Sequence, residues 1–588
     1  MYTFRLKCKF IIIKLFSRAY PSNNAGRIFS PDVTKKKHFW YIFRNCFGVK
    51  RIYILTIMKI ERYFILLILV IPVLILRDFT PNNELKYLSI VDEALRDGHF
   101  FTFYHQGGLY ADKPPLYFWL FMLSKWIWGE YNMFSLSLFS IIPALISIYI
   151  MNKWVEEDTT PSLRWSGSLM LFTSAFFIGS GLVLRMDMLM CMFILLALYT
   201  FYKRYSGKGR PRDRFLLPFY IFMAIFSKGP IGFIVPLITM FVFLLVKRDI
   251  RSLGRYFGWL EWGILLGCCA IWFLGIYLEG GATYLNNLLF HQTINRAIDS
   301  FDHKKAFWYY GVTFWYSVAP WSILYITTIV IAIKKKLLTT DKEKLFLSAI
   351  VSTFVILSIF SGKLDIYMLP LFPFFTYLTI LLLPKIKEKW IAFSVYIPVA
   401  VLTIAPIAAF FIRDKFNVPD SPFIYVAIIT LFIFSLTACY ILYRKRVFRA
   451  INCVALGILS ALFTGAFALP RINPYIGLTT MATEAHHICE EEHIDHYYYY
   501  KFRGGENMDV YLHEEAMKIT SEDSLFNIYR KGNCMIFVKE KNVARSPVLS
   551  NWIQQVHHEK VGNFYLIHPD NSLVPGSFGQ VNVSTVSN

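Results

Sequence analysis

The sequence predicts an α-helical polytopic membrane protein of about thirteen transmembrane helices carrying a small C-terminal α/β or α+β domain outside the membrane. Three observations carry that prediction. Hydrophobic residues fill 56% of the 588 positions and mean hydropathy is +0.45, too apolar for a soluble globular chain. Apolar runs of about 16–23 residues, long enough to cross a bilayer, recur as far as Leu469. After Leu469 the runs stop and His, Glu and Tyr become frequent.

Residues 1–57 read as an N-terminal extension: a basic, partly apolar stretch from Phe4 to Phe16, a Pro/Ser/Asn segment and Lys35-Lys36-Lys37. A signal peptide fits poorly because no small-residue cleavage site follows the apolar part. Met58-Lys59-Ile60-Glu61-Arg62, immediately before the first apolar run, is the expected start.

The membrane domain is assigned to 58–470. Its spans fall near 63–76, 131–151, 165–184, 188–202, 215–226, 230–246, 258–278, 309–333, 345–360, 366–384, 391–412, 422–443 and 450–469. The apolar segment 114–128 is short and is read as a juxtamembrane or re-entrant helix. With the N-terminus inside, the loops 203–214, 247–255, 334–344, 385–389 and 444–449 are then all internal. Each is short and rich in Lys and Arg, as the positive-inside rule requires. The basic residues sit between spans as orientation signals, so the net charge of +22 implies no nucleic-acid partner. Of the nine cysteines, Cys191, Cys268, Cys269, Cys439 and Cys453 fall in apolar spans as packing residues.

The opposite face carries a different set of residues. The outer loop 78–130 contains Asn83 to Pro115, far more polar than its surroundings. Leu85, Leu88, Val91 and Leu95 recur there at helical spacing, which predicts an amphipathic helix on the membrane surface. Asn83 suits its N-cap and Glu84 its first turn. Further on, Asp112 and Lys113 precede the stiff pair Pro114-Pro115. Arg185 and Asp187, Lys228-Gly229-Pro230, the loop 279–308 with His291, Arg296, His303, Lys304 and Lys305, and Ser361-Gly362-Lys363-Leu364-Asp365 share this face. Singly, each charge reads as a snorkelling anchor. Together, cations converging at an interface suit a phosphate that cannot be fully hydrated there.

In the C-terminal domain, 471–588, strands are expected at 497–502, 533–539 and 564–568, and disorder from Ser572. Cys489 and Cys534 are the two cysteines placed to form an exported disulfide. The domain is expected to shape the outer mouth of a cavity or to meet the acceptor.

ELKYLSIVDEALRDGHFF, LYADKPPLYFW, RMDML, FSKGPIG, HQTINR and SGKLDIYMLPLFP, in this order and on one face, resemble the polyprenyl-phosphate-dependent glycosyltransferases of the GT-C class. The likeness is to the bacterial aminoarabinose (lipid A) transferases and the protein-O-mannosyltransferase clan, and covers Met58 to Pro373 best. It implies a monosaccharide transferred, with inversion, from an undecaprenyl-phosphate-linked donor at the outer face of a bacterial inner membrane. The acceptor would be lipid A-like, another envelope glycan or a protein hydroxyl. By motif match, Lys113, Lys228, Arg296 and Lys363 would hold the donor phosphate, and Asn83, Tyr110 and Tyr367 would line the pocket. Asp187 matches an acidic site residue. Asp112 and His291 match positions that can bind a divalent metal, Zn or Mg. The family opens its first outer loop with an Asp-Glu pair where this chain has Asn83-Glu84, which leaves Glu84 as the surviving acid.

The chemistry is coherent without the family. A polyprenyl phosphate leaves readily if fixed cations stabilise its growing charge, and a carboxylate can deprotonate or orient an acceptor hydroxyl. No glycine-rich nucleotide loop is present. The rival readings are a secondary transporter or flippase and a structural scaffold. The first would place ionisable residues mid-span and repeat its halves in inverted order, and the second leaves the one-sided charges unexplained.

Overall fold

A computed structural model describes residues 61–290, 304–412 and 419–569. The expected start at Met58, the tail from Ser572, and His291, Arg296 and His303 lie outside the described residues. The chain from Leu66 onward forms one compact unit, which contains everything described below.

Among the described residues, seven helices are long and apolar enough to cross a bilayer, and two sharply bent pairs raise the count to nine. This is short of the roughly thirteen expected from hydropathy. The first expected span is interrupted by a turn at residues 69–70. Asp213–Lys228 and Ile231–Val246 have 16 residues each, about 24 Å of helix. Asp341–Ile359 opens with Asp341, Lys342, Glu343 and Lys344 behind a Thr340 capping box.

The bent pairs explain each other. Pro161–Phe172 and Ala175–Leu182 meet at 70°, and Tyr309–Ser317 and Ser322–Lys334 at 117°. Backbone groups freed at such breaks must find partners within the protein. Here the breaks face one another: Ala175 N donates to Ala319 O at 2.9 Å, and Trp321 Nε1 donates to Thr173 Oγ1 at 3.0 Å.

The two sets of loops segregate as the charge pattern requires. The basic loops are tied to one another and to neighbouring acids: Lys203 to Asp213 at 3.1 Å, Arg204 and Arg214 to the buried Glu261 at 2.9 and 3.2 Å, Lys247 to Asp341 at 2.6 Å, and Lys385 to Glu343 at 2.5 Å. Leu116–Trp128 has 13 residues and does not cross. At its far end Lys125 pairs with Asp92, and Tyr131 Oη donates to Asp92 at 2.5 Å, while Phe118 near its start packs on Tyr87 with ring centroids 5.8 Å apart. Both ends therefore stay beside the Glu84–Asp97 helix.

That helix is covered by protein rather than lying on the membrane surface as expected. Leu85, Leu88 and Val91 are fully buried, and only Leu95 of the apolar stripe is exposed. The cover comes partly from the C-terminal region, a five-stranded mixed sheet. Numbering strands in chain order, Tyr104–His105 (β1) and Gly108–Leu109 (β2) form a small hairpin in the outer loop. The sheet has Tyr497–Tyr500 (β3), Met517–Ile519 (β4), Met535–Lys539 (β5), His558–Val561 (β6) and Phe564–Ile567 (β7), in the order β4-β3-β5-β7-β6. β3 is parallel to β4 and β5, and β7 is antiparallel to β5 and β6. The three expected strands are β3, β5 and β7; short, exposed β4 and β6 lacked an apolar run to announce them. Cys489 and Cys534, expected as a disulfide pair, are both free and buried.

The C-terminal region grips the outer loop through polar groups. Asn473 Nδ2 donates to Leu76 O at 2.8 Å, and Thr479 N to Asp78 Oδ2 at 3.1 Å. Asn507 joins Pro81 O and His105 Nε2, both at 2.8 Å. Ser89 Oγ donates to Asp509 Oδ2 at 2.6 Å. Gly477 is required where it stands, because a Cβ there would lie 1.9 Å from Asp78 Oδ2.

Burial, reinforced by Asp92 and Glu515 and opposed by the Ser89 bond, pushes the Asp509 carboxyl up to about 6. The folded state therefore holds this proton more tightly than the unfolded chain. The contribution is fully present below the ordinary carboxylate range and is lost as pH rises through about 6. Asp509→Asn should flatten the fall in thermal stability between about pH 5 and 8 and raise the midpoint at pH 8 by about 2–4 °C. Thermal unfolding of the solubilised full-length chain at both pH values measures it.

Candidate active site

Two helices and a turn create the first wall. Asp213–Lys228 ends at Gly229, whose φ of 101° favours glycine, and Pro230 leads into Ile231–Val246. The helices then run so close that a Cβ on Gly232 would lie 2.3 Å from the Ala224 carbonyl carbon. This close turn sets Lys228 against Met186–Tyr205, where its ammonium pairs with Asp187 in that helix's first turn. The side chains are 8% and 1% exposed. A carboxylate at this helix N-terminus is favoured by the helix dipole. Lys228 Nζ also lies 5.3 Å from the centre of the Tyr367 ring.

The second wall is the outer loop, held by the helix Trp259–Asn286. Glu279 accepts the backbone N–H groups of Phe100, Phe101 and Thr102 at 3.0, 3.0 and 2.7 Å, and the Thr102 hydroxyl at 2.6 Å. Tyr284 Oη accepts from Phe103 N at 3.0 Å and donates to Tyr110 O at 2.9 Å. These anchors fix the residues just before Asp112 and Lys113, whose charged groups lie 3.6 Å apart. Lys86 sits 4.7 Å from the centre of the Tyr110 ring. Burial holds the Lys86 ammonium below the usual lysine range, offset in part by Asp112 and Glu506.

The walls enclose a cavity of about 210 Å³. Asp112, Lys113, Lys228 and Tyr367 line its polar part, and Ile225, Ile231, Trp272, Phe273, Leu288 and Leu289 its apolar part. A second chamber of about 370 Å³ adjoins it in sequence: Asp365 and Ile366 line the second, Tyr367 the first. Its other polar wall is Arg185 with Ser180. A third, apolar cavity of about 490 Å³ beside Phe241 and Trp262 contains no charged side chain.

Four expected residues thus share one cavity, Asp187 lies directly behind Lys228, and Tyr110 stands beside them. Three others are elsewhere. Glu84 has no exposed surface. Arg77 grips it at 2.7 and 2.6 Å, and the backbone N–H groups of Thr80 and Leu184 donate to it at 2.7 and 2.6 Å. A carboxylate occupied in this way is an anchor rather than a base facing a sugar. Asn83 is exposed and makes no side-chain cap, so it does not line the pocket. Lys363 is 2% exposed and donates to the carbonyls of Lys305, at 3.1 Å, and Phe360; it locks two loops together instead of facing the cavity. Burial also lowers its pKa. His291 and Arg296 lie outside the described residues. Of the metal pair, only Asp112 is described, with its carboxylate facing Lys113, and no group of three or more metal-binding side chains occurs among the described residues. Lys86, Glu279 and Tyr284 were not singled out from the sequence; each has an ordinary helical setting, and only the loop folding back reveals its use.

Residues 112–273 match the profile of the dolichyl-phosphate-mannose-protein mannosyltransferase family. An undecaprenyl phosphate-α-4-amino-4-deoxy-L-arabinose arabinosyl transferase of Wigglesworthia glossinidia brevipalpis is 28% identical over 321 residues, 53% of this chain and 55% of the relative. An uncharacterized protein of Aquifex aeolicus is 25% identical over 322 residues, 52% of this chain and 61% of the relative. The matches thus span little more than half the length of these relatives. The crystal structure of ArnT from Cupriavidus metallidurans bound to undecaprenyl phosphate superposes with a TM-score of 0.68 at 15% identity, covering 87% of this chain and 98% of ArnT. The chain has the fold of ArnT.

In this fold Glu84 is a structural carboxylate. Glu84→Gln would leave the buried Arg77 charge uncompensated, at a cost of roughly 3–5 kcal/mol. The expected result is a lowered unfolding midpoint, largely restored by adding Arg77→Gln. Unchanged stability with lost turnover would instead make Glu84 the base.

Proposed function

We propose that the protein is a membrane glycosyltransferase that moves a monosaccharide from an undecaprenyl-phosphate-linked donor to a lipid A-like or other cell-envelope acceptor. One observation carries this reading: a cavity in which two lysines meet apolar walls, matched to an anionic head with a hydrocarbon tail. The related arabinosyl transferases and the undecaprenyl phosphate-bound ArnT support it. The positive-inside pattern supports an active site on the periplasmic side of a bacterial inner membrane.

In the reaction the bond between the anomeric carbon and the donor phosphate oxygen breaks. The electron pair stays on the phosphate, stabilised by Lys113 and Lys228. The acceptor oxygen bonds to the opposite side of the anomeric carbon, so the centre inverts. A hydroxyl acceptor would give its proton to a carboxylate, for which Asp187 is the nearest candidate to Lys228. A phosphate acceptor is already anionic and needs no base. A protein-O-mannosyltransferase-like activity is the second reading, favoured by the family profile over residues 112–273.

Lys113→Ala should insert and fold normally, because its side chain is partly exposed and its partner Asp112 is also solvated. It should weaken undecaprenyl phosphate binding by roughly 1.5–3 kcal/mol and abolish transfer. Binding to the purified protein in nanodiscs measures the first and radiolabelled sugar transfer the second. Wild-type affinity and turnover in Lys113→Ala would reject the assignment.

A further inference from the structure

The apolar cavity of about 490 Å³ shares no lining residue with the donor cavity, and the reading above gives it no role. Phe233, Leu237 and Phe241, at four-residue spacing on Ile231–Val246, form one wall. The chain leaves that helix at Lys247 and folds back through the short turns Ile250–Ser252 and Leu253–Tyr256. Phe257 and Trp262 then close the other wall. Phe241 remains exposed, so within a bilayer the groove opens onto hydrocarbon. The mouth, by contrast, is cationic. Arg251, Gly254 and Arg255 fall at i, i+3 and i+4 and share one side of the returning segment. Gly254 lines the cavity, and a Cβ there would meet no atom within 4 Å, which leaves the groove open beside the two arginines. Both arginines are exposed and, like Arg248, make no ion pair among the described residues, whereas Lys203, Arg204, Lys247 and Lys385 in the basic loops each have a carboxylate partner. Asp249 is the one acid in the segment 247–255. Trp259, 95% exposed, follows at once, a setting typical of tryptophan at a membrane–water boundary.

Charge complementarity decides the occupant. A soluble anion would leave the groove empty, and a zwitterionic lipid brings its own cation to the phosphate that the arginines would otherwise hold. A lipid with an acyl chain and an uncompensated phosphate satisfies both halves of the site. We infer that this groove binds an anionic phospholipid from the leaflet beside the basic loops, with one acyl chain against Phe233, Leu237 and Phe241 and its phosphate on Arg251 and Arg255. The site is independent of the donor and acceptor reading. It is nevertheless joined to the donor cavity through the helices that form it: Ile231–Val246 also supplies Ile231 to that cavity, and Trp259–Asn286 supplies Trp272. A lipid chain packed between these helices therefore braces the frame on which the donor cavity is built.

The test titrates the full-length chain in a neutral detergent with phosphatidylglycerol or with phosphatidylcholine of the same acyl chains, and reads the first bound lipid by native mass spectrometry. Wild type should prefer phosphatidylglycerol by about tenfold or more. Arg251→Gln with Arg255→Gln should bring the two lipids within about twofold of each other, and Arg251→Lys with Arg255→Lys should keep most of the preference. Both variants should fold as wild type does, because the Arg255 backbone carbonyl, not its side chain, accepts from Arg204 Nη2 at 2.7 Å. Gly254→Phe, which fills the groove, should weaken both lipids by about fivefold or more and keep the preference for phosphatidylglycerol. Phosphatidylglycerol should also raise the unfolding midpoint of wild type and not that of the glutamine variant. Equal affinity of wild type for the two lipids, an undiminished preference in the glutamine variant, or unchanged binding in Gly254→Phe would each overturn the site. Displacement of phosphatidylglycerol from wild type by undecaprenyl phosphate would overturn it too, making the groove a continuation of the donor cavity.

Discussion

The buried carboxylate of Glu84 joins the two parts of the chain from which the site is made. Its four hydrogen bonds reach Arg77 and Thr80 at the start of the outer loop and Leu184 one residue before Arg185. An ionised carboxylate removed from water is tolerated only when its oxygens are satisfied, so the bonds come as a set. With that set in place, the helix carrying Lys86 and the turn leading into Asp187 cannot move independently. The acid whose sequence position best suits chemistry instead holds the chemistry in register.

The outer loop is restrained from two further directions. Glu279 and Tyr284 take up five of its backbone groups from the membrane side. The C-terminal region holds Asp78, Pro81, Ser89 and His105 from the other. A division of labour in which the charged loops manage the donor and the C-terminal region manages only the acceptor is therefore too simple. The same C-terminal contacts steady the loop that presents Lys113. Asp509 adds a pH-sensitive element to that hold, since its carboxyl titrates near 6.

Charge is used differently at the two ends of the membrane domain. In the basic loops, Lys203, Arg204, Lys247 and Lys385 each tie one segment to another through a carboxylate, so these pairs serve packing. At the other end Lys113 and Lys228 also have carboxylate partners, Asp112 and Asp187, but they line a cavity with hydrocarbon walls, and Arg185 faces a second chamber. Cations beside apolar walls are poorly hydrated, which strengthens their attraction for a phosphate over that of the same residues in open water.

The sequence by itself determined the membrane class, the segregation of loops by charge, the non-crossing segment 114–128 and the motifs that hold Asp112, Lys113, Asp187, Lys228 and Tyr367. These are legible because hydropathy, Lys/Arg bias and short motifs are local properties. It also exposed β3, β5 and β7, whose apolar runs are buried, but not β4 and β6, which lie at the sheet's edges. Only the tertiary structure decided which charges face a cavity and which are consumed within the protein. Glu84 and Lys363 look like site residues in one dimension, and Lys86 and Glu279 do not. The reason is that a side chain's role depends on the partners that satisfy it, and those partners, Leu184 for Glu84 and Lys305 for Lys363, are distant in the chain.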